Sequence, residues 1–247
     1  MHQDPWHPLS KYTESRIALG RTGGSIPTKP LLQFQLDHAK ARDAVESELN
    51  VFNLQNQLKG MDIPCIELGS QAKERAEYLK RPDLGRRLNE QSRTILTQYQ
   101  KKAYDIGIVA ADGLSAAAID AGFIPFLSEI LPLLRNKKKS FSPVCLVRQG
   151  RVAIADEIGR QLGSKLVFIC IGERPGLSSP HSMGIYMTYQ PQIGKTDESR
   201  NCISNIRPQG LSPKLAAQKL MFLIEESFRL KLSGVYLKEN ATLKIGN

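Results

Sequence analysis

Three short segments combine glycine with polar or charged residues, a composition typical of ligand-binding loops. They are DGLS (112–115), RQGRV (148–152) and GERPGLSSP (172–180), and each follows an apolar run of strand type. Ligands of open parallel sheets bind beyond the carboxyl ends of the strands, so we expect these loops to gather at one binding edge. The DG of the first loop and the RPG of the third are also ordinary turn sequences, so a plain structural role stays open for both.

Individual residues in and near these loops also have structural interpretations. Val152 could be a core residue at the start of a helix, and Glu173 could be a solvated surface charge. Residues 196–208 form the densest polar stretch of the chain, and a loop of that length is usually functional or disordered. Cys202 within it would need a nearby base to act as a thiolate nucleophile, and the nearest histidine in sequence is His181.

Several common chemistries lack their sequence signatures. No cysteines have C-x-x-C spacing and no histidines have metal-ligand spacing, so no zinc site is indicated. Cys145 and Cys170 lie in apolar runs, where a free cysteine behaves as a small hydrophobic residue. The sequence has no P-loop ending, no G-x-G-x-x-G after the first strand and no G-x-S-x-G. Residue types alone therefore indicate an α/β ligand-binding domain.

Composition and charge restrict the classes of partner. The chain of 247 residues is 41% hydrophobic and carries a formal net charge of +10. That charge would suit nucleic acid, but basic residues cluster only at 86–87 and 135–139, and aromatic residues make up 6%. An acidic protein or a phosphate-bearing ligand accounts for the charge as well. No uninterrupted apolar run reaches the roughly 18 residues of a membrane span, and the N-terminus lacks a signal-type apolar stretch, so we expect a cytosolic protein.

Apolar periodicity predicts an α/β fold in two parts. Residues 1–102 are expected to form an irregular leader and a mostly helical region, with helices over 30–49 and 82–101. Residues 103–247 alternate strands with helices, which predicts a Rossmann-like domain built on a parallel sheet. The strands expected there cover 105–110, 143–147, 165–171 and 183–189, and the helices follow residue 115 and cover 153–162 and 213–232.

Six segments, in order along the chain, resemble the small subunit of ethanolamine ammonia-lyase. They are SIPTKPLLQFQLDHAKARDAV, YLKRPDLGRRL, ADGLSA, VRQGRVAIADEIG, LGSKLVFICIGERPGLSSPHSMGIYMTY and TDESRNCISNIRPQGLSP. The resemblance extends over roughly residues 4–235. A series of ordered matches of this length is much more specific than any single short motif.

The resemblance implies a subunit of a radical enzyme that depends on adenosylcobalamin and converts ethanolamine to acetaldehyde and ammonia. A TIM-barrel large subunit would hold the substrate, and this chain would cover the cofactor from the other side. No catalytic or metal-ligating residue is implied in this chain. The implied cofactor contacts are Val152, Glu173 and Cys202, and neighbours considered with them are Asp112, Arg174 and Asn201.

Further expectations concern the cobalt ligand, the partner surface and the location. The sequence lacks D-x-H-x-x-G, which agrees with the base-on cobalamin binding that the resemblance implies. The N-terminal helix carries a stripe with Phe34 that would either dock on the large subunit or close this chain's own core. We expect the cytoplasm, with a bacterial microcompartment as the alternative. The competing functions are a standalone nucleotide- or phosphate-binding module and a nucleic-acid binder.

Overall fold

The computed structural model describes residues 4–100 and 103–237. In these ranges the chain forms a six-stranded sheet flanked by helices. The strands are β1 (Cys65–Gly69), β2 (Ile106–Ala111), β3 (Phe141–Arg148), β4 (Leu166–Gly172), β5 (Met183–Tyr189) and β6 (Asn201–Ile206). The helices are α1 (Thr28–Glu46), α2 (Val51–Gly60), α3 (Arg75–Lys80), α4 (Glu90–Thr97), α5 (Ala116–Asn136), α6 (Ile154–Gln161) and α7 (Pro213–Leu230).

The sheet is mixed, and this corrects the prediction of a parallel sheet. Its strand order is β1-β3-β2-β4-β5-β6. The first four strands are parallel, whereas β5 is antiparallel to β4 and β6 is antiparallel to β5. A parallel crossover needs about a dozen residues or more and usually a helix. The link 173–182 contains no helix, so β5 returns directly alongside β4. The α/β class is confirmed.

Two strands and one helix differ from the sequence-based expectations. β1 was not predicted; it is a short edge strand that alternates buried and half-buried or exposed residues and pairs with β3. β6 lies inside 196–208, which was expected to be a loop, and its exposed polar residues hid it from an apolar pattern. The helix expected over 82–101 is wrong, because a loop precedes the short α4, which Asn89 caps. The end of that expected helix lies outside the described residues.

The predicted boundary between two domains, at residue 102, stays a prediction. β1 lies on the N-terminal side of that boundary and hydrogen-bonds to β3 on the other side. The helices predicted over 30–49, 153–162 and 213–232 agree with α1, α6 and α7 to within a few residues at each end.

Two apolar layers lie on opposite faces of the sheet. One face packs against α2, α5 and α7, and the ring of Phe126 on α5 meets Phe168 on β4 edge-to-face. α5 is long and apolar enough in composition to cross a membrane. Its burial between the sheet and α7, with Ile119 and Phe123 fully covered, accounts for that composition. Cys145 and Cys170 are buried in strands, as predicted.

The second face is covered by helices over only part of its width. α4 and α6 pack on the parallel strands, where Leu96 and Ile158 are fully buried. Beyond them, Tyr186 on β5 is only half-buried and Cys202 on β6 is exposed. The antiparallel end of the sheet therefore presents an open surface on this side.

Gly113 sets the distance between the turn after β2 and the end of β4. Its φ is +57°, and a Cβ there would lie 2.3 Å from the carbonyl oxygen of Gly172. We expect Gly113→Ala to lower the free energy of unfolding by about 3 kcal/mol or more, from left-handed strain plus overpacking. Gly163→Ala is the matched control, because its φ is +66° with nothing within 4 Å of the new Cβ. Equal losses in urea unfolding of the two variants would contradict a close contact at Gly113.

Candidate functional site

The loops after β2, β3 and β4 meet at one edge of the sheet, as predicted. The Asp112 carboxylate accepts hydrogen bonds from the backbone N–H groups of Gln149 at 2.8 Å and Gly150 at 3.0 Å. The N–H of Leu114 donates to the carbonyl of Gly172 at 2.9 Å. Burial raises the pKa of Asp112, although those two amides and nearby Arg75 oppose the shift. The Asp112 carboxylate thus holds the loop after β3 against the loop after β2.

Glu173 lies over β5 and links the end of β4 to β6. Its carboxylate accepts a hydrogen bond from the Ser182 hydroxyl at 2.5 Å and from the N–H of Asn205 at 3.3 Å. A Cβ on Gly184 would approach Glu173 Oε1 to 2.9 Å, so the glycine leaves the space that the carboxylate occupies. The side chain is half-buried and held in place, and a carboxylate has room for further donors.

Cys202 lies on β6 directly opposite Tyr186 on β5. The Tyr186 hydroxyl is near enough to stabilise the Cys202 thiolate. Cys202 is exposed, yet neighbouring atoms desolvate its thiolate and raise its pKa; the Tyr186 hydroxyl opposes this and the charge of Glu173 adds to it. A raised pKa keeps the thiol neutral, which disfavours a nucleophilic role. His181 makes no hydrogen bond to Cys202 within the described ranges.

Val152 precedes α6 and lines a cavity of about 550 Å³ together with Tyr186. Burial raises the pKa of the Tyr186 hydroxyl, and the neighbouring Cys202 and Glu173 raise it further. Tyr186 therefore connects the three predicted contact residues. The surface at the antiparallel end of the sheet, on the side of Tyr186, is called the open face here. It comprises Val152, Glu173, Gly184, Tyr186 and Cys202.

The other candidates have different surroundings. The Asn201 side-chain amide donates to the carbonyls of Gly234 at 3.3 Å and Leu237 at 2.9 Å, and its oxygen accepts from the N–H of Gly234 at 2.7 Å. Asn201 thus anchors the segment after α7. Arg174 is exposed and has no ion pair within the described ranges.

Sequence reasoning missed Tyr186 and Arg200. Tyr186 could have been found from strand alternation, which places it on the opposite face from Ile185 and Met187. Arg200 is buried, and its Nη2 donates to Asp156 Oδ2 at 2.8 Å. Burial raises the pKa of Asp156 to about 6, although the charge of Arg200 opposes that shift. A polar run such as TDESRN gives no local signal that its arginine is buried.

No group of three His, Cys, Asp or Glu residues close enough to hold a metal ion occurs in residues 4–100 and 103–237. A cofactor bound to the open face would therefore be held by hydrogen bonds and apolar contact in this part of the chain.

Comparison with known proteins places the chain in a family. The sequence profile of the ethanolamine ammonia-lyase light chain matches residues 3–238. The ethanolamine ammonia-lyase small subunit of Ralstonia nicotianae is 48% identical over 98% of this chain and 91% of the relative. The small subunits of Pseudomonas fluorescens strain Pf-5 and Azotobacter vinelandii are 49% and 48% identical, over 98% and 97% of this chain and 89% and 90% of the relatives. From the profile match and these identities, the chain belongs to the ethanolamine ammonia-lyase light-chain family, the small subunits of that lyase.

Proposed function

We propose that this chain covers adenosylcobalamin in an ethanolamine ammonia-lyase whose large subunit carries the substrate site. The observation that supports the proposal is the arrangement of Val152, Glu173 and Cys202 around Tyr186 on the open face. These three residues are distant in sequence, and the resemblance of their local segments alone assigned them to the cofactor. Their convergence on one surface beside the start of α6 is what a shared contact with one ligand requires.

The chemistry of these residues fits a corrin ring. When bound, adenosylcobalamin would supply the radical chemistry for converting ethanolamine to acetaldehyde and ammonia. Glu173 is a fixed acceptor for the amide groups at the corrin edge. Val152 and the ring of Tyr186 offer apolar area, and the neutral Cys202 thiol can pack against the ligand without an unpaired charge. This chain's role is thus to bind, orient and exclude water.

α1 supplies a surface for the large subunit. Only Ala44 is buried in this helix, and Phe34 is 41% exposed, so α1 does not close this chain's own core. Four large apolar side chains lie exposed along it: Leu31, Leu32, Phe34 and Leu36. The relatives are named small subunits, which implies a larger partner, and an apolar stripe of this kind marks a protein–protein contact.

A single new charge on α1 tests the partner surface. We expect Leu32→Glu to leave the isolated chain folded, because Leu32 is 58% exposed, but to weaken binding of the large subunit by roughly tenfold or more. Gln35→Glu is the matched control, since it adds the same charge at an exposed polar position of the same helix. Titration calorimetry with the large subunit gives both affinities. If the two variants bind equally well, α1 is not the docking surface.

The activity itself is tested by reconstitution. Ammonia release from ethanolamine is measured with this chain alone, with the large subunit alone and with the mixture, each with and without adenosylcobalamin. We expect turnover only in the mixture that contains the cofactor, because substrate and cofactor contacts are divided between the subunits. Turnover by this chain unaided would refute the subunit assignment, and turnover without adenosylcobalamin would refute the cofactor.

Glu173→Gln tests the cofactor contact on the open face. The amide keeps the shape and an acceptor for Ser182 but removes the charge. A hydrogen bond to a charged group contributes about 1.5–3 kcal/mol, so cobalamin should bind the complex roughly ten- to a hundred-fold more weakly. Glu129→Gln on α5 is the control, because this exposed carboxylate lies on the helix that covers the opposite face. Unchanged affinity, measured by absorbance titration, would remove Glu173 from the site.

A further inference from the structure

We infer that the cavity beside the open face binds the phosphodiester group of the cofactor's nucleotide tail. The inference rests on the proposed function, because it extends the cofactor site beyond the corrin contacts. The cavity holds about 550 Å³, and Val152 and Tyr186 form its border with the open face. We call it the basic cavity, because five of its lining side chains are cationic: Arg86, Arg87, Arg151, Lys195 and Arg200.

Two acidic groups beside the basic cavity pair with the same one of its five cations, Arg200. Asp197 lines the cavity, is exposed and lies 3.4 Å from Arg200 Nε. Asp156, in the first turn of α6, pairs with Arg200 at 2.8 Å. Glu157 beside it pairs with Arg93 at 2.7 Å and accepts the N–H of Leu88 at 3.1 Å. The cavity therefore keeps a positive surplus.

Backbone donors point to the same ligand chemistry. The N–H groups of Val152 and Ala153 precede α6, and neither donates to a protein acceptor in the described ranges. The next amides, those of Ile154 and Ala155, close the first turn on the carbonyls of Arg151 and Val152. Free amides at a helix start favour anions, both as hydrogen-bond donors and through the helix dipole.

Buried arginine nitrogens without partners give the independent indication of a ligand. Arg200 is only 6% exposed, and its Nη1 has no hydrogen-bond partner in the described part of the chain. Arg151 likewise has a buried Nε without a partner, while its guanidinium stacks 4.1 Å above the ring of Tyr78. An unsatisfied buried donor is costly, so both arginines are suited to donate a hydrogen bond to an anionic oxygen of a ligand.

The basic cavity borders the open face at Val152 and Tyr186, and this position favours the phosphodiester of a cofactor that lies on that face. A ligand that lies on the open face and carries an anionic group on a flexible arm can place that group in the cavity past Val152 and Tyr186. Cobalamin has one such anion, in the arm that joins the corrin to the nucleotide base. A free nucleotide would use the same donors, so the experiment must separate these two sources.

The test compares adenosylcobalamin with adenosylcobinamide, which lacks the nucleotide tail and its phosphate, on the complex of both subunits. Arg86→Gln with Arg87→Gln is the diagnostic variant, because neither side chain has a protein partner within the described ranges. We expect adenosylcobalamin to bind this variant ten- to a hundred-fold more weakly and adenosylcobinamide to bind it unchanged. Lys80→Gln with Arg160→Gln is the control, since it removes the same charge at exposed positions outside the basic cavity.

The outcomes distinguish the inference from the proposed function. If the Arg86→Gln with Arg87→Gln variant loses the same affinity for both ligands, or for neither, the phosphodiester site is overturned. The proposed function would still stand in that case, provided that the wild-type complex binds adenosylcobalamin. A wild-type complex that binds no adenosylcobalamin would overturn both. ADP binding to this chain alone, lost in the Arg86→Gln and Arg87→Gln variant, would replace the inference by a nucleotide site. Recovery of adenosylcobalamin binding in Arg86→Lys with Arg87→Lys would support it and show that the loop is intact.

Discussion

The loops after β2 and β3 are held together chiefly by the buried carboxylate of Asp112. It holds the amides of Gln149 and Gly150, and its charge faces Arg75 Nη1 at 3.8 Å. Arg75 in turn donates to the carbonyls of Gly113 at 2.8 Å and Val45 at 2.6 Å. A buried charge is tolerated only when it is paired and hydrogen-bonded, so this cluster has few alternative arrangements. The end of α1 and the loops after β2 and β3 are positioned through it.

The open face is a consequence of chain connectivity. A parallel crossover would have brought a helix over β5, but the short link after Gly172 lets the chain return antiparallel, and the next link adds β6 in the same way. Two strands therefore extend the sheet without adding a covering helix on the side of Tyr186. The surface that results lies next to the loop edge, and no helix covers it on the side of Tyr186.

The strands that are buried on both faces were predicted from the sequence, whereas the strands that are buried on one face only were missed. β2, β4 and the loops that follow them were visible because continuous apolar runs mark strands covered on both faces. β6 was not, since Cys202 and Ser204 face solvent and no apolar run marks the strand. The local sequence pattern shows where apolar residues repeat along a strand. It does not show whether a helix will cover a given face of that strand.

The candidate site was predictable to a similar degree. Resemblance assigned Val152, Glu173 and Cys202 to a cofactor site, which stays a prediction, and it did not single out Tyr186, which lies beside Cys202 and borders the same cavity as Val152. The helix expected over 82–101 failed for a tertiary reason: Gly85 packs so tightly that a Cβ would lie 2.8 Å from Arg151 Cγ and 2.9 Å from the Tyr78 ring. Close packing of that kind places the basic residues after Gly85 beside the cavity, and it leaves no periodic signal in the sequence.

The exposed stripe of α1 has a consequence for how cells must produce this chain. Leu32 and Leu36 stand 58% and 49% exposed, one helical turn apart, on a helix that buries little of itself. An apolar patch of this kind in water favours self-association. On the proposal that the large subunit docks on α1, a chain synthesised in excess of that partner would carry the patch uncovered, so matched synthesis of the two polypeptides would protect its solubility.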